Sequence, residues 1–349
     1  MTVHRAWLKL HQYVGLACAL FIFLMGATGA VLVFESEIDR ALNPSTSYVT
    51  PGVQPLPLTT LVSRVNAARP DDPVGAIRLA DRPGESDELS ARQRHSIFVN
   101  PYTGDILGTR DREKSAARIV HLVHTRLDAG FLGEQVTAFA TVGLLVLSIS
   151  GLVLWWPRQT VRVRTGGSWK RTNFDLHQVV GFFSSVLIFV IALAGISIAF
   201  ERRTDPLVLR LNAAPEVDTS RLQSIPEPGL PPVSPDEALA TARAILPGAA
   251  ATSVALPGGP SGIYRVLMKF PEDRTPAGRS RVYIDQYTGA VLAVENTRTA
   301  QLGRRILNLK RSLHTGDVFG TPSRIVYGLV SLGIALQAIT GVLIWWNAR

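Results

Sequence analysis

Hydrophobic positions along this chain fall into two regimes. Four apolar runs, residues 13–34, 135–156, 179–200 and 325–346, each hold 22 residues with no charged side chain inside. A helix needs about 20 residues to cross a 30 Å hydrocarbon core, so each run predicts a transmembrane helix. Between them lie two long insertions, residues 35–134 and 201–324, where apolar positions come in short clusters. In the second insertion, "SPDEALATARAIL" has a Ser-Pro start, acids in its first turn and helical apolar spacing, which predicts a helix. Residues 251–256, 263–270, 281–285 and 290–295 read as strands separated by Gly/Pro turns. The first insertion repeats the plan more faintly, with a helix at 58–68 and extended runs at 74–79, 95–99 and 105–107. The expected fold class is therefore membrane α plus α+β. Four transmembrane helices carry two α+β domains, in the order span, domain (35–134), span, short loop (157–178), span, domain (201–324), span.

The chain reads as two copies of one unit. Adding 166 carries His11 to His177, Gln12 to Gln178, Gly15 to Gly181, Gly29 to Gly195 and Glu35 to Glu201. Adding 185 carries the "YTG" at residues 102–104 onto that at 287–289. Adding 190 carries His124 to His314, Gly143 to Gly333, Gly151 to Gly341 and the pair Trp155–Trp156 to Trp345–Trp346. Two copies in one orientation place a pseudo-twofold axis along the membrane normal. The repeat also makes the first run the twin of an internal span. That favours a retained helix over a cleaved signal peptide, which the small residues of "GATGA" would otherwise suit.

Composition and charge fix the setting. The chain is 46% hydrophobic and only 18% charged, the balance of a polytopic membrane protein. Its net charge of +9 sits largely beside the apolar runs, without the basic and aromatic interleaving of a nucleic-acid surface. Residues 157–174 hold Arg158, Arg162, Arg164, Lys170 and Arg171 and no acid. By the positive-inside rule this short loop is cytoplasmic, with the N-terminus (Arg5, Lys9) and the C-terminus (Arg349) on the same side. The insertions then lie on the opposite face, which is the periplasm if the source is a Gram-negative bacterium. The Trp pairs suit one common interface. The single cysteine, Cys18, excludes an intrachain disulfide and is expected to pack between helices. The insertions hold no GxSxG, HExxH or P-loop pattern, and no catalytic residue stands out.

The histidines carry the candidate chemistry. His11 and His177 lie at the mouths of spans one and three, and His124 and His314 lie about ten residues before spans two and four. Twofold pseudo-symmetry brings the members of each pair to one depth, facing across the bundle. That arrangement suits axial ligation of one haem iron per pair. Gly15 and Gly181, four residues on, clear a patch one turn from each first-pair ligand where a flat macrocycle fits. His121 shares a helix face with His124, but its partner by offset is Arg311. It is either a supporting group or the ligand in place of His124. His95 reads as a solvated strand residue and His4 as a tail residue. Gly26, Gly29, Gly143, Gly151, Gly195, Gly333 and Gly341 serve close helix approach or leave room for porphyrin.

The stretches "LHQYVGL…FLMGATGAVLVFESEID", the paired "YTG" turns and the closing "GLVLWWP" and "GVLIWWN" resemble the PepSY-associated transmembrane family. That family includes iron-regulated inner-membrane proteins and ferric-siderophore reductases. The resemblance implies two periplasmic PepSY-like domains and two non-covalent haem b groups ligated by His11, His177, His124 and His314. It further implies electron flow from the cytoplasm to a ferric siderophore or other Fe(III) chelate outside. No dinucleotide or flavin fingerprint is present, so the electron donor is expected to be a quinol or a separate reductase. Arg304, Arg305, Lys310 and Arg311 beside His314 either steer an anionic chelate and raise a haem potential, or contact lipid headgroups. The rival expectation is a haem-free, membrane-anchored PepSY module that binds or inhibits a periplasmic protease or assists assembly.

Overall fold

The structure is a computed structural model that describes residues 3–157, 159, 161–211, 218–226 and 229–348. Arg158 and Arg349, two of the expected topogenic charges, lie outside the described residues. The chain divides into a helical unit (Met1–Glu35, Ala116–Leu209, Leu309–Arg349) and a sheet unit (Ser36–Ser115, Arg210–Asn308).

Among the described residues, four helices of the helical unit are long and apolar enough to cross a membrane. They are α1 (Val3–Leu32), α6 (Gly130–Trp155), α7 (Trp169–Ala199) and α11 (Thr321–Asn347). They form a ring in which α1 touches α6 and α11, and α7 touches the same two, so α1 and α7 lie on one diagonal. Helices α1 and α7 begin ten residues before their apolar runs, so His11 and His177 sit inside helices instead of at their mouths. Hydropathy misses these opening turns because they carry Arg5, Lys9, Lys170 and Arg171. The bundle interior is small and hydroxylated. Ala138, Ala192, Ser150, Ser184 and Thr340 are buried, while Leu20, Phe139, Phe183 and Leu329 point outward. Small residues let helices approach, and the outward apolar side chains meet lipid. A Cβ on Gly26 would come within 2.8 Å of the Ala335 amide nitrogen, so this glycine seats α1 on α11. Cys18 packs its sulfur against Gly143 of α6, the helix-packing role expected of it.

Short helices flank the spans: α2 (Glu35–Leu42), α3 (Pro44–Ser47), α5 (Ala116–Arg126), α8 (Glu201–Leu209) and α10 (Leu302–Thr315). Asp175, just past the expected acid-free loop, is fully buried. It pairs with Arg164 at 3.0 Å and Arg171 at 3.2 Å.

The two insertions were expected as two domains. Their strands instead join in one antiparallel sheet of order β4-β3-β2-β1-β5-β6-β7-β8. The strands are β1 (Val74–Arg78), β2 (Asp87–Ala91), β3 (His95–Val99), β4 (Ile106–Asp111), β5 (Ala250–Ala255), β6 (Ile263–Lys269), β7 (Ser280–Asp285) and β8 (Val291–Glu295). The halves meet where β1 pairs with β5, Ile77 opposite Val254. This pairing removes two edges that would otherwise be open to aggregation. One face is covered by α4 (Leu58–Ala68) and α9 (Pro235–Ile245), and Leu61, Val65, Ala238 and Ala242 close over Ile77, Leu89, Val254 and Val266. Ser234 and Glu237 form a capping box at the start of α9. Helix α4 has no such residue; Asp236 of α9 accepts from its first amides, Leu58 N–H at 2.7 Å and Thr59 N–H at 2.9 Å. The "YTG" glycines end the turns β3–β4 and β7–β8 as expected. Gly104 (φ 76°) and Gly289 (φ 68°) take the left-handed conformation that favours glycine.

Candidate functional site

The diagonal pair α1 and α7 brings His11 and His177 together, with ring centroids 6.3 Å apart and planes at 87°. Each ring is tied at Nδ1. His11 Nδ1 is 2.8 Å from Ser150 Oγ on α6, and His177 Nδ1 is 2.8 Å from Thr340 Oγ1 on α11. Those hydroxyls have one proton each and donate it to carbonyls four residues back, Ser150 to Val146 at 2.7 Å and Thr340 to Leu336 at 2.8 Å. They are therefore acceptors toward the imidazoles. The inferred tautomer carries its proton on Nδ1 and leaves the lone pair on Nε2, the form a metal ligand requires. The ring edges rest on glycine: a Cβ on Gly151 would sit 3.4 Å from His11 Cε1, and one on Gly341 3.2 Å from His177 Cε1.

The second pair is built alike from different elements. His124 on α5 and His314 on α10 have ring centroids 6.1 Å apart, inclined at 59°. His124 Nδ1 is 2.9 Å from Thr28 Oγ1, whose proton goes to Leu24 O at 2.6 Å. His314 Nδ1 donates to the Ile191 carbonyl at 3.0 Å. Here the glycine seats are Gly29 beneath His124 and Gly195 beneath His314, at 3.3 and 3.1 Å from the respective Cε1 atoms. The span glycines thus divide. Gly26 and Gly143 serve helix approach, whereas Gly29, Gly151, Gly195 and Gly341 make room for imidazoles.

The geometry brings together the four histidines singled out by the repeat and places His124, not His121, opposite His314. His121 is half-buried on α5. His95 bonds Asp72 at 2.7 Å in the sheet unit. His4, expected as a tail residue, stands on α1 at the rim of a cavity of about 410 Å³. That cavity is walled by His11, His177, Gly15, Gly181, Trp155 and Trp345. Trp155 stacks on Phe182 at 3.8 Å, while the outer members Trp156 and Trp346 are mostly exposed. Of the basic cluster, Lys310 is bound by Asp205 at 2.8 Å and Glu201 at 3.5 Å. Arg305 donates to the Ala300 and Arg298 carbonyls. The charge of Lys310 is thus paired with acids, whereas that of Arg305 is not cancelled by its neutral carbonyl partners. The hydroxyl acceptors Ser150, Thr340 and Thr28 were not anticipated. Their only sequence signal is that Ser150 and Thr340 are 190 residues apart.

The donor set limits what the pairs can hold. Among the described residues, no group of three or more His, Cys, Asp or Glu is placed to share a metal ion. Two imidazoles are too few for a closed zinc site, which takes four ligands. They suit a metal whose remaining positions come from a macrocycle. Spacing agrees: an imidazole nitrogen about 2 Å from a first-row metal puts its ring centroid about 3 Å away, so two opposed rings stand about 6 Å apart. Both observed separations match.

A family model described as the PepSY-associated TM region matches residues 8–348 of this chain. No curated protein matches it.

Proposed function

This chain belongs to the PepSY-associated transmembrane family, and on that premise we propose that it is a di-haem oxidoreductase of the bacterial inner membrane that reduces a periplasmic ferric chelate. The carrying observation is the two histidine pairs, 6.3 and 6.1 Å apart, with a hydrogen-bond partner at each of the four Nδ1 atoms, which makes Nε2 the coordinating nitrogen. When bound, a haem supplies a one-electron ferric/ferrous couple at each level. His11 and His177 hold the group on the cytoplasmic side, and His124 and His314 the one on the periplasmic side. Ser150, Thr340, Thr28 and the Ile191 carbonyl fix the imidazoles' orientation and keep their protons off the coordinating nitrogens.

The two levels are separated by the length of the spans. His11 and Thr28 are 17 residues apart on α1, about 25 Å at 1.5 Å per residue. Two centres so placed suit delivery of charge across a hydrocarbon core of about 30 Å. Orientation follows from Arg5, Lys9, Arg162 and Lys170, which put the first pair on the cytoplasmic side. A ferric siderophore or similar chelate is the substrate: one electron converts hard Fe(III) to softer Fe(II) and weakens the oxygen ligands' grip. A quinol or a separate reductase supplies the electron.

The test is an absorption spectrum of the full-length protein purified from haem-replete cells. Two haems per chain, a Soret shift on dithionite and reoxidation by ferric chelates are expected. His11→Ala should lower the content to one. A colourless preparation would overturn the proposal and leave the haem-free PepSY module standing.

A further inference from the structure

The cavity beside His11 and His177 nearly obeys the 190-residue offset. Ser150 and Thr340 accept from the two imidazoles, Gly151 and Gly341 take the ring edges, and Trp155 and Trp345 stand in equivalent walls. Its lining departs from the offset at several positions, Ser148 to Ala338 among them, and one departure falls against the glycines one turn from the imidazoles. Where α6 brings Leu147 against Gly15, α11 brings Gln337 against Gly181. A Cβ on Gly15 would meet Leu147 Cδ2 at 3.7 Å, and one on Gly181 would meet Gln337 Oε1 at 3.3 Å. The amide's orientation is set by its other end, since Gln337 Nε2 donates to the His177 backbone carbonyl at 2.9 Å. Its oxygen is thereby turned to Gly181 in the cavity wall. Gln337 is also three residues from Thr340, so it shares a helix face with the group that orients His177.

We propose that Gln337 tunes the redox potential of the group held between His11 and His177, lowering it below what an apolar wall would give. This rests on the haem reading of that pair. The oxidised iron carries one more positive charge than the reduced iron. A carbonyl oxygen presents the negative end of its dipole, so it favours the oxidised form. In a low-dielectric interior that preference is larger than in water. Leucine offers no such dipole and excludes polar groups that would also stabilise the charge. Burial, nearby dipoles and hydrogen bonding are the levers by which a protein sets haem potential. The consequence is directional: a lowered potential at the first pair makes onward transfer toward the second pair more favourable.

The reciprocal swap tests it by optical redox titration of the full-length holoprotein. Gln337→Leu should raise the midpoint of the haem at the first pair. At a fixed potential its ferrous-to-ferric ratio should rise about tenfold, which for one electron is 59 mV. Leu147→Gln should shift the same midpoint down, and the double swap should bring it back near wild type. The haem that is lost in His314→Ala should titrate unchanged in all three. Shifts of the same sign in both single variants, no shift in Gln337→Leu, or loss of the haem on that substitution would overturn the proposal. The haem reading fails separately and earlier, in a wild-type protein without colour.

Discussion

Thr340→Val isolates the tautomer lock on His177. Valine keeps the β-branched shape but replaces Oγ1 with a methyl group. The substitution removes the acceptor 2.8 Å from His177 Nδ1 and nothing else that ties α7 to α11. The Asn173 side chain still donates to the residue-340 carbonyl at 3.1 Å, and Gln337 still donates to the His177 carbonyl. A buried N–H left without a partner costs about 1–3 kcal/mol. At about 1.4 kcal/mol per tenfold, that is about a 5- to 150-fold loss of affinity for the group His177 holds. Loss of a hydrogen-bond partner behind a ligating histidine elsewhere costs about 10–100-fold, in the same range. The assay is haem transfer from the purified protein to excess apo-globin, followed in the Soret band. One of two haems should leave faster by that factor, and the other, held by His124 and His314, at the wild-type rate. Wild-type release of both haems from a normally folded Thr340→Val protein would refute the lock.

Gly195→Ala should cost the second site its haem while the bundle survives. The added methyl would stand 3.1 Å from His314 Cε1 and 3.3 Å from Thr141 Cγ2, overpacking worth about 1–3 kcal/mol. Gly26→Ala instead meets the α11 backbone at 2.8 Å, and melting curves should show loss of the whole helical unit. Asp236→Ala strips the amides at the start of α4 of their acceptor. It should destabilise that helix by about 1–2 kcal/mol, read as faster hydrogen exchange at Leu58–Ala68, and by less in Asp236→Asn, whose one amide oxygen replaces only one of the two accepting carboxylate oxygens. Burial pushes the Asp87 carboxyl up to about 6, against one hydrogen bond from Ala80 N–H that favours the charged form. An unfolded aspartate releases its proton near about 3.9, so between about pH 4 and 6 the folded sheet unit binds more protons than the unfolded one. Its stability falls as pH rises through that window and is level above it. Asp87→Asn retains an acceptor for Ala80. It should add up to about 3 kcal/mol at pH 7 and flatten the slope, measured by exchange at β2 corrected for intrinsic rate. A wild-type slope in that variant would refute the assignment.

The spans were legible because a run of 22 uncharged residues has few other fates. Their beginnings were not, since α1 and α7 extend outward through basic turns that hydropathy counts as loop. Strand β2 escaped notice because its inward positions are Asp87, Leu89 and Ala91, of which only leucine reads as core. The union of both insertions in one sheet was hidden for another reason. Residues 74–78 and 250–255 are short runs of mostly small and apolar side chains, and nothing in an isolated strand names its neighbour across a pairing such as Ile77 to Val254.

The histidine pairs were visible through the offset, but their acceptors expose its limit. At the first pair the offset carries the hydroxyl faithfully, from Ser150 to Thr340. At the second it carries Thr28 to Ala194, which has no hydroxyl, so side-chain identity alone leaves His314 Nδ1 with no acceptor. The ring finds one three residues earlier on the same helix, the Ile191 carbonyl, at 3.0 Å. Gly195 permits that approach, because its missing Cβ leaves His314 room against the α7 backbone. What the two halves share at this depth is an oxygen aimed at Nδ1 and a glycine under the ring, and either a side chain or a peptide group can supply the oxygen. A buried N–H must be paired whatever the residue type, so the requirement acts on atoms and positions. A residue offset registers it only when a side chain happens to meet it.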